Sequence, residues 1–148
     1  MKREHSSPEN LERNSVWVVI PAYNEEPAIQ SVVESVRTAG YKNVLVVDDG
    51  SRDNTAAKAK EAGADVLTHL INRGQGAALK TGIEYIGEAY HPKSIVTFDA
   101  DGQHQAQDID SLVRPILRGD IDIVLGSRFI EHQETIPFFR KVILSWRH

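Results

Sequence analysis

The feature that most constrains the fold of this chain is the regular alternation of short apolar runs with helix-forming segments. The first run, 16–20, is continuously apolar and is stopped by Pro21, as is typical of a strand buried on both faces of a parallel sheet. Further strands are predicted at 44–47, 65–69, 94–98 and 121–125. Helices are predicted between them at 29–39, 55–62, 77–88 and 109–117.

This alternation predicts an α/β domain of Rossmann-like architecture, with a mainly parallel sheet, right-handed crossovers and helices on both faces. A length of 148 residues favours a single domain. Residues 1–15 are polar and are expected to form a flexible leader, with the domain itself at 16–148. Ligands of open parallel sheets bind outside the carboxyl ends of the strands, so we expect functional residues in the loops that follow them.

The composition argues against several classes of function. A net charge of −4 does not suit general binding to nucleic acid or to an anionic membrane surface. The absence of cysteine excludes disulfides and thiolate metal sites, so any metal must be held by oxygen or imidazole. No apolar run in the sequence approaches the roughly 20 residues that span a bilayer.

Polar loops follow the first two predicted strands. Asp48 comes directly after an apolar run, where a carboxylate can accept hydrogen bonds from nucleobase N–H groups or ribose hydroxyls. Tyr23 could offer a flat face to a base or sugar, or lie half-buried under its loop. Asn24 and Asp53 can alternatively be explained as caps of the helices that follow them.

The loop after the fourth predicted strand carries two carboxylates. In an extended strand residues i and i+2 point the same way, so Asp99 and Asp101 are predicted to face one space. A hard cation such as Mg²⁺ or Mn²⁺ would relieve their repulsion and could neutralise a diphosphate leaving group. An EF-hand loop is disfavoured because it requires glutamate at its twelfth position and glycine at its sixth, whereas Asp110 is twelfth from Asp99 and Gly102 is fourth.

Residues 72–81 resemble a phosphate-binding P-loop in the spacing of Gly74 from Lys80 and Thr81. Leu79 stands where the second glycine is required, which disfavours an unrelated α/β NTPase. Arg73 and Lys80 could still steer a diphosphate by charge. The alternative is a flexible loop that leads into an exposed helix face.

Two arginines follow in the last part of the chain. Arg128 ends the last predicted strand, and Arg140 lies among apolar residues at 138–139 and 142–144. Arginine binds phosphate oxygens in a bidentate manner. The apolar residues predict an amphipathic surface helix for a membrane or a helix lying on the sheet. The histidines outside these motifs, His5, His69 and His91, are interpreted as structural.

Five segments, PAYNEE, VVDDGS, NRGQGAALKTGI, DADGQH and GSRF, resemble in order and spacing the family 2 glycosyltransferases of the GT-A fold. The resemblance runs from about Val16 to Trp146 and is strongest to the dolichol-phosphate mannose synthase and polyprenyl-phosphate glucosyltransferase branch. It implies a Rossmann-like nucleotide-sugar-binding domain in which 16–148 supplies the donor side. The acceptor-side segment of the family is expected to be missing from the chain.

The resemblance also implies roles for individual residues. The nucleotide sugar would contact Pro21, Tyr23, Glu25, Asp48, the backbone of Val46, Asp99 and Ala100. Asp101 and Gln103 would be direct ligands of Mg²⁺ or Mn²⁺. Arg128 and Arg140 would bind the phosphates of donor or acceptor, with Asp101 and Arg128 as the catalytic pair.

The implied reaction is the inverting transfer of a hexose from a UDP- or GDP-sugar to a polyprenyl (dolichyl) phosphate at the cytosolic membrane face. A phosphate acceptor is already anionic near neutral pH and can attack without a general base. The resemblance implies a cytoplasmic protein, peripheral to that membrane, and is compatible with a homo-oligomer or a membrane partner chain. The alternative is a non-catalytic sugar-nucleotide-binding module that needs a partner chain for activity.

Overall fold

The computed structural model describes residues 12–119, 123–126 and 141–145. Strands and helices alternate along most of this part of the chain. The strands are β1 Val16–Ala22, β2 Asn43–Asp48, β3 Asp65–Thr68, β4 Ser94–Thr97, β5 Ile123–Gly126 and β6 Lys141–Ser145. The helices are α1 Glu26–Thr38, α2 Thr55–Glu61, α3 Gln75–Tyr90 and α4 Asp108–Leu117.

The six strands form one sheet in the order β3-β2-β1-β4-β6-β5. Strands β1 to β4 are all parallel to one another, whereas β6 runs antiparallel to both β4 and β5. The predicted α/β class with a mainly parallel sheet is therefore confirmed. Among the residues that the structure describes, no helix is both long and apolar enough to cross a bilayer.

Helices cover both faces of the sheet, because side chains along each central strand alternate between two apolar clusters. One face of β1 presents Val16, Val18 and Ile20 to a cluster shared with α1, α2 and α4. The other face presents Trp17 and Val19 to α3. The sheet is thus buried on both sides, as its continuous apolar runs predict.

The prediction that Pro21 stops the first strand was wrong, since β1 continues to Ala22. The backbone hydrogen-bonding groups of Val19 point towards β4, and those of Pro21, two residues further on, point the same way. Val19 pairs with Thr97, the last residue of β4. The missing N–H of Pro21 therefore points past the end of β4 and costs no ladder bond. This extension carries the loop after β1 up to the edge of the sheet.

The predicted helix near residue 142 was also wrong. Residues 141–145 form β6, which lies between β4 and β5 and pairs with both. A run of three apolar residues, Val142 to Leu144, is too short to establish helical periodicity. Short uninterrupted apolar runs of this kind are typical of interior strands in sheets that helices cover on both faces.

Candidate active site

The carboxyl ends of β1, β2 and β4 meet at one edge of the sheet, and the acidic loops lie there. The three strands are neighbours and parallel, so their following loops project in the same direction. Two backbone bonds continue the pairing beyond the strands. Asp49 N–H donates to the carbonyl of Ala22 at 2.8 Å, and Phe98 N–H donates to that of Val19 at 2.9 Å. These bonds fix the loops relative to one another.

The loops after β1 and β2 are interlocked by side-chain hydrogen bonds. The N–H of Asn24 donates to Ser51 Oγ at 2.8 Å, and Asn24 Oδ1 accepts the N–H of Arg52 at 2.9 Å. Glu25 N–H donates to Thr55 Oγ1 at 2.9 Å. Asn24 therefore joins the two loops instead of capping α1.

Asp53 is not the N-cap residue of α2, which is Asn54, but it does bond to the first residue of that helix. Its carboxylate accepts the N–H of Thr55, the first residue of α2, at 3.0 Å. It also accepts the N–H of Glu26, the first residue of α1, at 3.2 Å. One exposed carboxylate therefore accepts hydrogen bonds from N–H groups at the starts of two helices, where these groups have no partner within the helix.

Asp48 ends β2 and is only 3% exposed. Its Oδ1 accepts the N–H of Ser51 at 3.1 Å, which closes the turn after the strand. Oδ2 has no hydrogen-bond partner among the described residues. This geometry leaves one carboxylate oxygen at the strand edge to accept a hydrogen bond from a ligand.

Asp99 and Asp101 lie in the turn after β4, not in the strand itself, since β4 ends at Thr97. Their exposure still alternates with that of their neighbours, because Phe98 and Ala100 are buried in the core. Both aspartates are thus directed away from the helix cluster that holds Phe98 and Ala100. The extended-strand geometry from which we predicted that the two carboxylates face one space is therefore absent, and both aspartates lie beyond the end of β4.

The two aspartates have different partners. Asp99 Oδ2 lies 2.6 Å from His104 Nε2, and Asp99 Oδ1 accepts a hydrogen bond from Gln75 Nε2 at 3.4 Å. Asp101 is exposed, and its Oδ1 accepts the backbone N–H of Gln103 at 3.0 Å. Asp99 is therefore tied to the start of α3, whereas Asp101 is bonded within its own turn.

The electrostatics of this edge favour a cation. Partial burial, followed by repulsion from Asp101 and Asp53, raises the pKa of Glu25 above its ordinary value. The loop after β1 and the turn after β4 thus bring negative charge together. Oxygen donors of this kind suit Mg²⁺ or Mn²⁺.

The donor set fits a divalent ion that is shared with a ligand. No cluster of three acidic or imidazole side chains within the described ranges could hold a metal by itself. An ion at Asp101 would therefore need further ligands from phosphate and water, which is how Mg²⁺ is commonly bound. The EF-hand alternative fails, because Asp110 accepts hydrogen bonds from Arg13 Nη2 at 2.7 Å and from the Tyr41 hydroxyl.

The loop before α3 differs from a P-loop in the direction of its backbone donors. The N–H groups of Arg73 and Gly74 donate to the buried carboxylate of Asp49. The carboxylate of Asp49 therefore occupies the place that a phosphate takes in a P-loop. These two N–H groups do not bind a phosphate as P-loop donors do, which argues against the NTPase interpretation.

The structure brings most of the residues considered from sequence to one edge. At or directly after the strand ends, or in the loop before α3, lie Pro21, Tyr23, Glu25, Asp48, Arg73, Asp99, Ala100, Asp101 and Gln103.

Other expected residues lie elsewhere. Val46 is fully buried within β2, two residues before Asp48. Lys80 lies on the second turn of α3 and pairs with Glu84 at 3.6 Å on an exposed surface. Arg128 and Arg140 lie outside the described residues.

Asp49, His69, Gln75 and His104 were not identified as site residues from the sequence. Strand alternation could have placed Asp49, because it follows Val47 on the α3 face of β2. His69 Nδ1 lies 2.6 Å from Asp49 Oδ1, so its interpretation as a structural histidine agrees with the geometry. Contacts of Gln75 and His104 with Asp99 depend on loop packing and have no local sequence signal.

Comparison with known proteins gives a family match over most of the chain. A family model described as glycosyl transferase family 2 matches residues 17–146. An uncharacterised protein of Methanocaldococcus jannaschii is 41% identical over 96% of this chain and 59% of its own length. A UDP-N-acetylglucosamine–dolichyl-phosphate N-acetylglucosaminyltransferase of Methanococcus voltae is 35% identical over 86% of the chain and 58% of its own length.

A dolichol-phosphate mannosyltransferase of Pyrococcus furiosus is 32% identical over 86% of the chain and 38% of its own length. The chain therefore spans less than two thirds of each of these relatives. Among solved structures, glucosyl-3-phosphoglycerate synthase from Mycobacterium tuberculosis in complex with Mn²⁺ and UDP-glucose is similar, with a TM-score of 0.64 and 28% identity. That match covers 82% of this chain and 48% of the other.

Proposed function

Because the chain belongs to glycosyl transferase family 2, we propose that it forms the donor-binding part of a metal-dependent, inverting glycosyltransferase. The observation that carries this proposal is the convergence of Glu25, Asp48, Asp99 and Asp101 at the carboxyl edge of adjacent parallel strands. In sheets of this kind that edge is where nucleotides bind.

The donor in this proposal is a nucleoside diphosphate sugar, carrying UDP or GDP. Asp48 Oδ2, which has no partner in the described part of the chain, would accept a hydrogen bond from the nucleoside, and Tyr23, which is 43% exposed, would pack against base or sugar. The exposed Arg73 side chain would bind the diphosphate. Support for such a donor comes from the similar synthase that binds UDP-glucose.

A divalent ion at Asp101, with Gln103 as a second ligand, would neutralise the diphosphate when it leaves. This role fits the excess of negative charge that Glu25 and Asp101 create at the edge of the sheet. The residues of this chain then hold and orient the donor. Positioning and charge stabilisation are the contributions that such a transfer requires from the protein.

The acceptor that we propose is a polyprenyl phosphate at the cytosolic membrane surface. A phosphate oxygen would form the new bond to the anomeric carbon while the bond from that carbon to the diphosphate breaks, which inverts its configuration. Because this nucleophile is already anionic, no catalytic base is needed. Two relatives are named for transfer to dolichyl or dolichol phosphate, which supports this acceptor class. Arg128 and Arg140 would contact its phosphate.

Isothermal calorimetry with UDP, GDP, UDP-glucose and GDP-mannose, each with and without Mn²⁺, tests the proposal. We expect binding of one nucleotide class, strengthened by the metal. Binding to none of them, or binding that is indifferent to metal, would overturn the proposal. Transfer of labelled hexose to a short-chain polyprenyl phosphate then separates the enzyme from a binding module, which would bind the donor without turnover.

A further inference from the structure

We call the carboxyl edge of the sheet that carries Glu25, Asp48, Asp99 and Asp101, where the nucleotide sugar is proposed to bind, the donor edge. A buried carboxylate to which the proposed reaction assigns no role lies directly beside it. Asp49 is 2% exposed, and it accepts the backbone N–H of Arg73 at 2.9 and 3.1 Å and that of Gly74 at 2.7 Å. Burial alone would raise the pKa of Asp49, but hydrogen bonds from His69, Arg73 and Gly74 hold it below its ordinary value. The side chain is therefore an ionised anchor for the loop before α3.

His69 connects this anchor to the body of α3. Its Nδ1 lies 2.6 Å from Asp49 Oδ1 and its Nε2 lies 2.9 Å from Thr81 Oγ1, with only 9% of the side chain exposed. Since an ionised carboxylate can only accept a hydrogen bond, Nδ1 is the protonated ring nitrogen, and its N–H donates to Asp49 Oδ1. The imidazole thereby fixes the orientation of the carboxylate against the second turn of α3.

The anchored loop ends at residues that reach the donor edge. Gly74 has φ of 93°, a conformation that favours glycine, and it aims its N–H at Asp49 immediately before α3 begins. The next residue, Gln75, donates through Nε2 to Asp99 Oδ1. The exposed side chain of Arg73 leaves the same fixed backbone.

We propose that Asp49 and His69 are positioning residues for donor binding, and we name the pair the loop clamp. The loop clamp holds the backbone of Arg73 and Gly74, so it sets where Arg73 and Gln75 stand relative to the diphosphate. Neither Asp49 nor His69 touches the donor in this arrangement. The inference rests on the proposed function, because it assumes that the diphosphate lies at this edge.

Two substitutions of His69 separate positioning from simple space filling. Asn places its amide nitrogen near the position of Nδ1, so His69→Asn keeps a donor for Asp49. Gln places its amide nitrogen near Nε2, so His69→Gln keeps the contact with Thr81 but loses the bond to Asp49. Asp49→Asn removes the charge of the anchor itself, and His91→Asn, at the opposite end of α3, is the matched control.

The first measurement follows hydrogen exchange of the Arg73 and Gly74 amides in the full chain without ligand. We expect about tenfold faster exchange in Asp49→Asn and His69→Gln, because bonds to a charged acceptor are lost or weakened. His69→Asn and His91→Asn should exchange like the wild type. Unchanged exchange in both Asp49→Asn and His69→Gln would overturn the loop clamp, whatever the chain binds.

The second measurement is the affinity of the same variants for UDP and GDP in the presence of Mn²⁺. Binding is expected to weaken about tenfold in Asp49→Asn and His69→Gln, and by less than about twofold in His69→Asn. A tenfold loss corresponds to about one charge-assisted hydrogen bond. Equal affinity in all variants would overturn the positioning role. If the wild type binds neither nucleotide, the proposed function fails and the link from loop clamp to donor fails with it.

Melting temperature and circular dichroism of each variant establish that it is folded. Should His69→Gln not fold, Asp49→Asn decides the test by itself, because it weakens the bonds to the Arg73 and Gly74 amides directly. We then expect faster exchange of these amides in Asp49→Asn than in His69→Asn, with the fold retained. Exchange in Asp49→Asn as slow as in the wild type would contradict the loop clamp.

Discussion

Single acidic residues at the donor edge differ in role because their surroundings differ. Asp48 and Asp49 are adjacent in sequence, yet strand alternation turns them to opposite faces of the sheet. Asp48 keeps one carboxylate oxygen without a partner in the described structure, whereas both oxygens of Asp49 accept hydrogen bonds. Residue type alone would have assigned the two carboxylates the same function.

Asp101→Asn is expected to abolish the metal-dependent part of nucleoside diphosphate binding. The amide keeps the size of the side chain and one oxygen, but it loses the charge that attracts the ion. For the wild type we expect Mn²⁺ to strengthen binding by about tenfold, equivalent to about 1.4 kcal/mol. In the variant, calorimetry should give the same affinity with and without Mn²⁺.

Asp65→Asn is the matched control, since Asp65 is exposed at the start of β3, away from the carboxyl edge. It should retain the full effect of Mn²⁺. Metal dependence that survives in Asp101→Asn would remove Asp101 from the set of metal ligands.

At the scale of the elements, helix α3 connects the hydrophobic core to the donor edge. It packs against β1 and β2, and its first residue reaches Asp99. Gly82 allows this close packing, because a Cβ at that position would lie 2.7 Å from Val19 Cγ1 and 3.0 Å from Val47 Cγ2. The position of the donor loop therefore depends on a small residue in the middle of a helix.

Gly82→Ala is expected to destabilise the protein even though alanine is the better helix former. The gain in helix propensity is about 1 kcal/mol, while overpacking of a filled core costs about 1 to 3 kcal/mol. The contact with Val19 falls below any ordinary separation, so the packing cost should prevail. Urea unfolding followed by circular dichroism measures the difference.

Gly76→Ala, in the first turn of the same helix, is the control for this prediction. A Cβ at Gly76 meets no atom within 4 Å, so only the propensity gain remains. This variant should be as stable as the wild type or more so. If Gly82→Ala raised the free energy of unfolding as Gly76→Ala does, the packing argument would be wrong.

For the molecule as a whole, one polar cluster joins parts of the chain that are far apart in sequence. Asp110 of α4 accepts hydrogen bonds from Arg13 Nη2 at 2.7 Å and Nε at 3.3 Å, and from the hydroxyl of Tyr41. Arg13 precedes β1 and Tyr41 precedes β2. The cluster thus secures α4 against the segments that enter the two central strands.

Asp110→Asn is expected to lower the free energy of unfolding near neutral pH by about 1 to 2 kcal/mol, the contribution of a partly exposed charge-assisted hydrogen bond. Burial opposes ionisation of Asp110, but hydrogen bonds from Arg13 and Tyr41 lower its pKa below the ordinary 3.8. A lowered pKa contributes stability above pH 3.8 that is lost as the pH falls through the folded-state pKa. The difference between wild type and variant should therefore shrink below about pH 4.

Urea unfolding of both proteins at several pH values between 3 and 7 measures this dependence. Because the cluster belongs to the fold and not to the donor edge, nucleotide affinity of Asp110→Asn should match that of the wild type. A stability difference that stayed constant down to pH 3 would show that the charge of Asp110 is not responsible.

The sequence by itself determined the α/β class, the strands and helices up to α4 and the acidic residues that follow the strands. These features depend on local pattern: apolar runs, helical spacing and the polar residues directly after each run. Parallel neighbours then bring those residues to one edge by geometry alone. The order of five motifs was likewise sufficient to indicate the family.

Only the tertiary structure decided where distant groups meet. It placed β6 between β4 and β5, turned the backbone donors of Arg73 and Gly74 towards Asp49, and paired Asp110 with Arg13. Partners such as Arg13 and Asp110 are 97 residues apart. A local sequence pattern cannot predict a contact over that separation. Such contacts arise from the packing of elements against one another, which is why the loop clamp became visible only in the folded chain.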